Sequence, residues 1–324
     1  MAEIEFRRAI RDALDEELAR DESVIFFGED VAKAGGVFAV TPGLWEKYPD
    51  RVLDTPISEL ALAGAAFGSA VCGKRPVFEI MFGDFLPLTM DSLVNQSAKY
   101  WYVSNEQTSV PLVVRSAIGA GGRFGAIHSQ TPISWCLGVP GLKIVCPATP
   151  ADAKGMLKSA IRDPNPVLFL EHKRLYGLKG EVNGDLTPIG KGAVLRRGDD
   201  ITVVGAMKSV HDALAAAGKL PDQSVEAEVI DLRTLRPMDI DLVLESVAKT
   251  SRLAVVEEGP RTGGWAAEVV ARVSEAALDQ LDDIWRITTA DAPIPYSPTL
   301  EDAFLPGPDR IVESILAHRR KRHG

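Results

Sequence analysis

A single carboxylate, Glu59, stands between a turn and an apolar helix in the stretch DTPISEL, Asp54–Leu60. The residues after it, ALAGAAFGSAVCG, are small or apolar, and the next charged residue is Lys74. An exposed acid in the first turn of a helix interacts favourably with the helix dipole, by about 0.3–1 kcal/mol. The same carboxyl in a dry pocket would instead move a proton as a general acid or base. Spacing alone favours the first interpretation and leaves the second open.

A histidine, His128, follows the glycine-rich segment GAGGRFG, Gly119–Gly125. The segment is not a dinucleotide fingerprint, because Phe124 stands where GxGxxG requires its third glycine, and a tight turn is the better interpretation. A lone histidine is more often a structural hydrogen-bonding group than a catalyst. His128 nevertheless lies on a loop beyond a predicted strand, where open α/β sheets bind their ligands. It is therefore the second candidate site residue.

The rest of the sequence contains no GxSxG elbow, no GxxxxGK[ST] phosphate loop and no metal-ligand cluster. Its three cysteines, Cys72, Cys136 and Cys146, are widely spaced and form no CxxC pattern. Such cysteines are typical of reduced core residues in a cytosolic protein.

Alternating strand-like and helix-like segments must position Glu59 and His128. Apolar residues recur at helical spacing over residues 3–20, and further helices are predicted over 59–73 and about 87–103. Short apolar runs such as SVIFFGED and PLVVRSA precede such segments, which is typical of a parallel sheet with helices on both faces. The stretch GLKGEVNGDLTPIGKG, residues 177–192, has the composition of a linker. We predict two α/β domains, residues 1–185 and 186–324.

The bulk composition excludes several classes of function. The chain has 324 residues, a hydrophobic fraction of 46% and a net charge of −9. A negative chain is a poor general nucleic-acid binder, since phosphate binding needs a basic surface. No stretch approaches the ~20 apolar residues of a membrane span. We therefore expect neither nucleic-acid nor membrane binding. The basic run HRRKRHG, residues 318–324, is predicted to be a solvated end.

Several long blocks in one order identify a family. They include FFGEDVAKAGGVFAVTPGLWEKYPDRVLDTPISE, EIMFGDFLPLTMDSLVNQSAKY, IGAGGRFGAIHSQ, VEAEVIDLRTLRPMD and YSPTLEDAFLP. With these blocks the chain resembles, over nearly its whole length, the beta subunit of the thiamin-diphosphate-dependent first component of 2-oxo acid dehydrogenases. The resemblance implies a transketolase-like pyrimidine-binding domain followed by a domain of the transketolase C-terminal type.

The resemblance also assigns roles to single residues. Glu59 would hydrogen-bond a ring nitrogen of the cofactor's aminopyrimidine and favour the imino tautomer, which takes the proton from the thiazolium carbon. Ile57 would line the same cofactor site, and Phe85 would stack on the pyrimidine. His128 would orient the acyl intermediate or the incoming lipoyl group. A carboxyl that does this work is expected to have a raised pKa.

A missing motif implies a partner. Related enzymes hold the diphosphate through magnesium with a GDG motif, and this chain has no GDG. By resemblance, an alpha subunit supplies the diphosphate half of the site and its magnesium, in an α2β2 heterotetramer. This chain would then be inactive alone. The second domain would help dimerisation and docking to a dihydrolipoyl acyltransferase core, in the cytoplasm.

The resemblance extends to a turn that would bind potassium. The turn SAIRDPNP, residues 159–166, is similar to a loop that binds potassium in some relatives. An ordinary turn at a helix end is the alternative. The ligands would be the carbonyls of Leu112, Ala160 and Ile161 with the side chains of Asp163 and Asn165.

The substrate stays open at this level. The resemblance implies oxidative decarboxylation of a 2-oxo acid of the pyruvate type with acyl transfer to lipoamide, or cleavage of acetoin by a similar assembly. A non-catalytic scaffold subunit is a rival from another class, and intact Glu59, Phe85 and His128 argue against it. A nicotinamide oxidoreductase is a further rival, which the failed GxGxxG spacing disfavours.

Overall fold

The computed structural model describes residues 2–323 and confirms an α/β chain with two units. The first unit takes in the chain up to Ile118 together with Trp135–Ile189. The second takes in Gly119–Ser134 and the chain from Gly190 onward. The segment that carries His128 is therefore grouped with the second unit.

The first unit holds most of the strands. They are β1 (Ala2–Glu5), β2 (Val24–Gly28), β3 (Val52–Asp54), β4 (Arg75–Ile80), β5 (Val113–Ile118), β6 (Lys143–Val145), β7 (Val167–His172) and β8 (Lys179–Val182). The helices up to this point in the chain are α1 (Phe6–Arg20), α2 (Leu44–Lys47), α3 (Glu59–Val71), α4 (Ala98–Val103), α5 (Ile133–Leu137) and α6 (Pro150–Arg162).

Six of these strands form a parallel arrangement in the order β6-β7-β5-β4-β2-β3. Every residue of β5 and β7 is buried, as expected for central strands of a sheet that is covered on both faces. Helix α1 buries Phe6, Ile10 and Leu14 and packs against α6. The loops beyond the carboxyl ends of such strands are where ligands bind in open α/β sheets.

The predicted helix over residues 87–103 is only partly present. A 3₁₀ segment, Gly83–Thr89, is followed by a π-helical turn, Asp91–Ser97, and only then by α4. Pro87 lies inside the first segment, where it cannot donate a backbone hydrogen bond. In the π-helical turn, Ser97 Oγ donates to the carbonyl of Ser92 at 2.8 Å. Periodicity did not predict this irregularity, which is common near functional sites.

The predicted linker is also wrong in part, because residues 177–192 contain a strand. β8 pairs antiparallel with β1, with Ile4 opposite Gly180. The same stretch continues against α6, where a Cβ on Gly155 would come within 2.5 Å of Thr187 Oγ1. Local composition could not show this structure, since the partner strand lies at the other end of the domain.

The second unit is a five-stranded sheet with helices. The strands of this sheet are β9 (Ala193–Arg196), β10 (Ile201–Gly205), β11 (Ala227–Asp231), β13 (Arg252–Pro260) and β14 (Asp283–Thr289), and the short strand β12 (Thr234–Arg236) lies outside it. Its helices are α7 (Lys208–Lys219), α8 (Ile240–Thr250), α9 (Trp265–Ala277), α10 (Pro298–Phe304) and α11 (Pro308–His323). The sheet order is β14-β13-β10-β11-β9, parallel except for β9 at one edge.

One hydrophobic core holds this second unit together. It brings together the apolar faces of α7 and α11 with residues of β10, β11, β13 and β14, among them Val203, Val229, Val256 and Ile315. The side chains of the basic run beyond His318, and Gly324 itself, lie outside the described residues, so their predicted solvation stays a prediction. Among residues 2–323, no helix is long and apolar enough to cross a membrane.

Candidate active site

Glu59 is the first residue of α3 and lies on a firmly held turn. Asp54, the last residue of β3, accepts a hydrogen bond from the amide of Ala32 at 2.7 Å, and the amide of Thr55 donates to the carbonyl of Gly28 at 3.0 Å. The helix then starts without a side-chain cap from Ser58. Glu59 itself is only 8% exposed. A buried carboxyl at this position is not the exposed helix-end acid that spacing alone favoured.

The negative charge of Glu59 affects the pKa of a second carboxyl group, that of Glu29. Burial raises the pKa of Glu29 above its ordinary value, and the negative charges of Glu59 and then Asp30 raise it further. Like charges that share a partly dry environment disfavour each other's ionised form. Local sequence patterns did not predict this coupling, because the two acids are far apart along the chain and follow strands that become neighbours only through the β2–β3 pairing.

Apolar side chains near Glu59 are exposed. Ile57, the predicted cofactor-lining residue, is 82% exposed, and Leu60 is also exposed. Large exposed apolar groups that cluster together are typical of a surface that another molecule covers. A buried acid beside such a surface has the composition of a binding site, with one polar group among apolar neighbours.

Phe85 lies in the 3₁₀ segment that follows β4. Its ring packs edge-on against Phe82, with the ring centres 6.1 Å apart and an interplanar angle of 83°. Phe82 in turn packs edge-on against Phe38 at 5.6 Å. Such edge-to-face contacts fix the orientation of an aromatic ring. Phe85 is half-buried, so its ring is held by neighbours without being enclosed.

His128 belongs to the glycine-rich segment of the second unit. Gly119, Gly121, Arg123 and Gly125 all have positive φ angles, as the predicted tight turn requires. The amide of His128 donates to the carbonyl of Gly125 at 3.4 Å, and the side chain is half-buried. Glu59, Ile57 and Phe85 thus lie in the first unit and His128 in the second.

The predicted potassium turn already has other partners. The guanidinium of Arg75 donates to the carbonyl of Ile161 at 2.9 Å, and Lys143 Nζ donates to Asp163 Oδ2 at 2.5 Å. The other oxygen of Asp163 accepts the amide of Asn165 at 2.9 Å. The carbonyl of Leu112 accepts the amide of Val167, and that of Ala160 accepts the amide of Asp163. Two protein cations therefore bond to oxygens of Ile161 and Asp163, two of the five predicted ligands of a potassium ion.

Three or more His, Cys, Asp or Glu side chains nowhere converge in a metal-binding group within residues 2–323. The cysteines are free, with Cys136 and Cys146 buried, whereas Cys72 is exposed. Burial raises the pKa of the Cys136 thiol to about 12, which makes it unreactive at neutral pH. The core assignment therefore holds for two of the three cysteines and is wrong for Cys72.

Two family models match this chain. The transketolase pyrimidine-binding domain matches residues 2–179, and the transketolase C-terminal domain matches residues 190–311. A solved structure of a split-gene transketolase, an inactive beta4 tetramer, has a TM-score of 0.80 at 23% identity and covers 97% of each chain. That likeness concerns the fold alone.

Curated relatives are much closer in sequence. The beta subunit of acetoin:2,6-dichlorophenolindophenol oxidoreductase from Cupriavidus necator is 44% identical, with 95% of each chain covered. The beta subunit of 2-oxoisovalerate dehydrogenase from Bacillus subtilis is also 44% identical, covering 96% of this chain and 97% of that protein. The beta subunit of the pyruvate dehydrogenase E1 component from Rhizobium meliloti is 44% identical, and the match covers 98% of this chain and 70% of that protein.

All three relatives are beta subunits, and a beta subunit implies a partner alpha subunit. The two matched domains and the full-length identities agree with each other. This chain therefore belongs to the thiamin-diphosphate-dependent family of oxidoreductase beta subunits found in the pyruvate, 2-oxoisovalerate and acetoin dehydrogenases.

Proposed function

We propose that this chain, paired with an alpha subunit, carries out the oxidative decarboxylation of a 2-oxo acid of the pyruvate type and passes the acyl group to lipoamide. The observation that carries the proposal is the buried carboxyl of Glu59 at the uncapped start of α3. Acetoin cleavage is the second candidate, because the acetoin-specific relative is as similar as the pyruvate-specific one.

The first unit offers side chains that fit the aminopyrimidine half of thiamin diphosphate. When bound, this cofactor supplies the carbon nucleophile that attacks a carbonyl group. Glu59 would hold a proton at a ring nitrogen of the pyrimidine, and its burial keeps that proton from exchanging with water. Phe85 would offer an aromatic face to the pyrimidine, and Ile57 an apolar contact. Their chemistry supports the assignment, since a site of this kind needs one acid among apolar groups.

His128 would act later in the reaction, on the acyl group or on the incoming lipoyl group. An imidazole both donates and accepts protons near neutral pH, which suits a group that orients and protonates a transferred oxygen or sulfur. Its place on a half-buried loop supports such a role, because catalytic side chains are often carried by loops on a rigid scaffold.

The remaining groups of the assembly are proposed by analogy with the family. The alpha subunit would complete an α2β2 heterotetramer and hold the magnesium and the diphosphate. The second domain, with a boundary near residues 185–186, would dock to a dihydrolipoyl acyltransferase core. We place the enzyme in the cytoplasm.

A potassium ion in the Ser159–Pro166 turn would have to displace Arg75 and Lys143 from their oxygens. We expect Lys143→Met to make room for it. The test compares the Tm in potassium chloride and in sodium chloride at equal ionic strength. A potassium-specific rise confined to Lys143→Met would support the site, and no rise in either protein would remove it.

Reconstitution with an alpha-type subunit tests the main proposal. Reduction of an artificial electron acceptor is measured with thiamin diphosphate, magnesium and pyruvate, acetoin or a branched-chain 2-oxo acid in turn. Glu59→Gln should lower kcat by at least about 100-fold while the subunits still assemble. Glu46→Gln, which changes an exposed acid of α2, is the control. Wild-type activity of Glu59→Gln would exclude the proposed role of the carboxyl.

A further inference from the structure

The glycine-rich segment before His128 is held by two carboxylates of the second unit. The amide of Ala120 donates to Glu258 Oε1 at 2.6 Å. The next amide, that of Gly121, donates to Glu301 Oε1 at 3.0 Å. Glu258 lies on β13 and Glu301 on α10, so two separate elements each bind one of two consecutive amides. Hydrogen bonds to an ionised acceptor are about twice as strong as neutral ones.

Glu301 is the more constrained of the two acids. Its side chain is fully buried, and its second oxygen, Oε2, accepts from Arg123 Nη1 at 2.6 Å. The other end of the Arg123 guanidinium donates to both oxygens of Asp302, at 2.8 and 2.9 Å. Asp302 is 59% exposed, so water weakens that second pair. The buried Glu301 thus links an amide and a guanidinium of the same loop.

Arg123 adopts a conformation that a non-glycine residue rarely takes. Its φ angle is +64°, in the left-handed region. A side chain in this region costs free energy, and such residues persist where surrounding contacts hold them, often at functional sites. Arg123 is held here by Glu301, by the carbonyl of Pro298 and, more weakly because the acid is exposed, by Asp302.

Further contacts hold the loop on both sides of His128. On the amino-terminal side, a Cβ on Gly125 would come within 2.9 Å of the Tyr296 ring, so the backbone lies close against that ring. On the carboxyl-terminal side, Thr131 Oγ1 donates to the carbonyl of Glu258 at 2.5 Å. Glu258 therefore binds the segment before His128 through its side chain and after it through its backbone.

We propose that Glu301 is a positioning residue for His128, and that Glu258 assists it. Its buried carboxylate sets the path of residues 120–123 and hence the position of the imidazole for acyl transfer. The inference rests on the proposed role of His128, and it gives the second unit a part in turnover beyond assembly. Small displacements of a catalytic group cost up to about 100-fold in rate, which is the scale of effect to expect.

A double-mutant cycle in the reconstituted holoenzyme tests the proposal. Glu301→Gln removes the charge and retains an acceptor oxygen, whereas Asp302→Asn is the matched control at the exposed acid that binds the same arginine. Each variant is measured alone and together with His128→Ala. The readouts are kcat, the KM for the lipoyl acceptor and the apparent affinity for thiamin diphosphate.

We expect Glu301→Gln to lower kcat by about 10-fold to 100-fold with an unchanged affinity for thiamin diphosphate, and Asp302→Asn to stay within about 2-fold of wild type. With His128 already replaced, Glu301→Gln should cost less than about 2-fold, because the residue through which it acts is gone. The inference would be overturned if Glu301→Gln lowered kcat by the same factor with His128 present and with His128→Ala. It would also be overturned if Glu301→Gln and Asp302→Asn had equal effects on kcat.

Arg123→Lys is the second variant, for the case in which Glu301→Gln does not assemble. It keeps a cation for Glu301 and loses the forked contact with Asp302. It should show a smaller loss with the same non-additivity toward His128→Ala, and additive losses would overturn the inference. If His128→Ala is itself as active as wild type, the proposed role of His128 fails. If His128→Ala is inactive and Glu301→Gln is fully active, only the positioning of the loop by Glu301 is wrong.

Discussion

Glu29 and Glu59 are electrostatically coupled: burial raises the pKa of the Glu29 carboxyl, and the negative charge of Glu59 raises it further. The two acids follow adjacent parallel strands, Glu29 after β2 and Glu59 beyond the turn that follows β3. Two carboxyls in one partly dry environment do not ionise independently, so a proton is retained there at a pH where a solvated acid has lost it. A retained proton is what a proton-transferring site requires.

Replacement of Glu59 should therefore change how stability depends on pH. In the unfolded state Glu29 releases its proton at its ordinary pKa, whereas in the native state it holds the proton up to its raised pKa. Stability therefore falls as the pH rises from the ordinary pKa to the raised one. Glu59→Gln removes the repelling charge and so lowers the native-state pKa of Glu29. The pH range over which stability falls then becomes narrower. We expect a smaller decrease in Tm than in wild type as the pH rises from the ordinary carboxyl pKa of 4.5 to neutral.

Thermal unfolding at matched ionic strength measures this effect, with Glu46→Gln as the control for loss of one exposed acid. The coupling is absent if the Tm of Glu59→Gln and that of wild type decrease equally over the same range of pH.

A buried ion-pair cluster in the first unit gives a second prediction. Arg115 on β5 donates to Glu171 at 2.7 and 2.8 Å and to Glu79 at 2.6 Å, and the Arg115 and Glu171 side chains are at most 2% exposed. Burial alone would lower the pKa of Arg115, but the charges of Glu171 and Glu79 outweigh it and keep that pKa raised. Arg115→Met should lower the free energy of unfolding by about 3–5 kcal/mol, because Glu171 then loses its cation.

Denaturant unfolding compares this loss with that of Lys47→Met, which removes the cation of an exposed pair with Asp15. The exposed pair should contribute far less, because water screens its charges and Asp15 keeps its hydrogen bonds with Arg11 and Tyr48. The triple variant Arg115→Met with Glu79→Gln and Glu171→Gln should recover part of the stability, since neither carboxylate of the cluster is then left buried without its cation. Equal losses for Arg115→Met and Lys47→Met would contradict the prediction.

Two glycines with nearly the same φ angle allow the effect of a steric contact to be compared with that of backbone strain. Gly141 has a φ angle of +90° and Gly73 one of +91°. A Cβ on Gly141 would come within 1.9 Å of the carbonyl oxygen of Ala98, whereas a Cβ on Gly73 would have no atom within 4 Å. Gly73→Ala should cost about 1 kcal/mol from strain alone. Gly141→Ala should cost clearly more, because the backbone near Ala98 must move.

The difference between the two unfolding free energies measures the contact at Ala98. Similar values for both variants would mean that the turn at Gly141 adjusts without strain.

Sequence patterns predicted the elements that are determined by residues within one short segment. The helical spacing of Phe6, Ile10 and Leu14 predicted α1, and the small apolar run after Glu59 predicted α3. The pairing of β1 with β8 could not be predicted in this way, because each strand is too short to show a clear alternation of polar and apolar residues. The two strands also lie far apart along the chain. The π-helical turn at Asp91–Ser97 could not be predicted either, because its sequence pattern resembles that of an α-helix.

The site divides in the same manner. Glu59, Phe85 and His128 were predicted as site residues from short sequence blocks that resemble the family. The electrostatic coupling of Glu29 to Glu59 and the hydrogen bonds of Glu301 were not predicted, since each joins residues that are distant along the chain. Only a folded structure shows that Glu301 is fully buried and that it reaches a residue 178 positions away.

A last prediction concerns Glu257, whose carboxyl accepts the amides of Trp265 at 3.0 Å and Ala266 at 2.9 Å, at the start of α9. Burial raises the pKa of Glu257 to about 7, although these amides and Arg286 lower it in part. The unfolded acid releases its proton near its ordinary pKa of 4.5. Between these values the native state binds the proton and the unfolded state does not, so stability falls as pH rises and is level above about pH 7.

The fall attributable to Glu257 amounts to about 3 kcal/mol across this window. Glu257→Gln cannot titrate, so this part of the slope should disappear. The variant should be less stable than wild type by most near pH 5, where one amide has lost its acceptor, and by less as the pH approaches 8. Glu268→Gln, at an exposed acid of the same first helical turn, should leave the slope as in wild type. Unfolding free energies from pH 5 to pH 8 would contradict the assignment if Glu257→Gln kept the full slope. A flattened slope would show that α9 begins on a carboxyl that is protonated below neutral pH and charged above it.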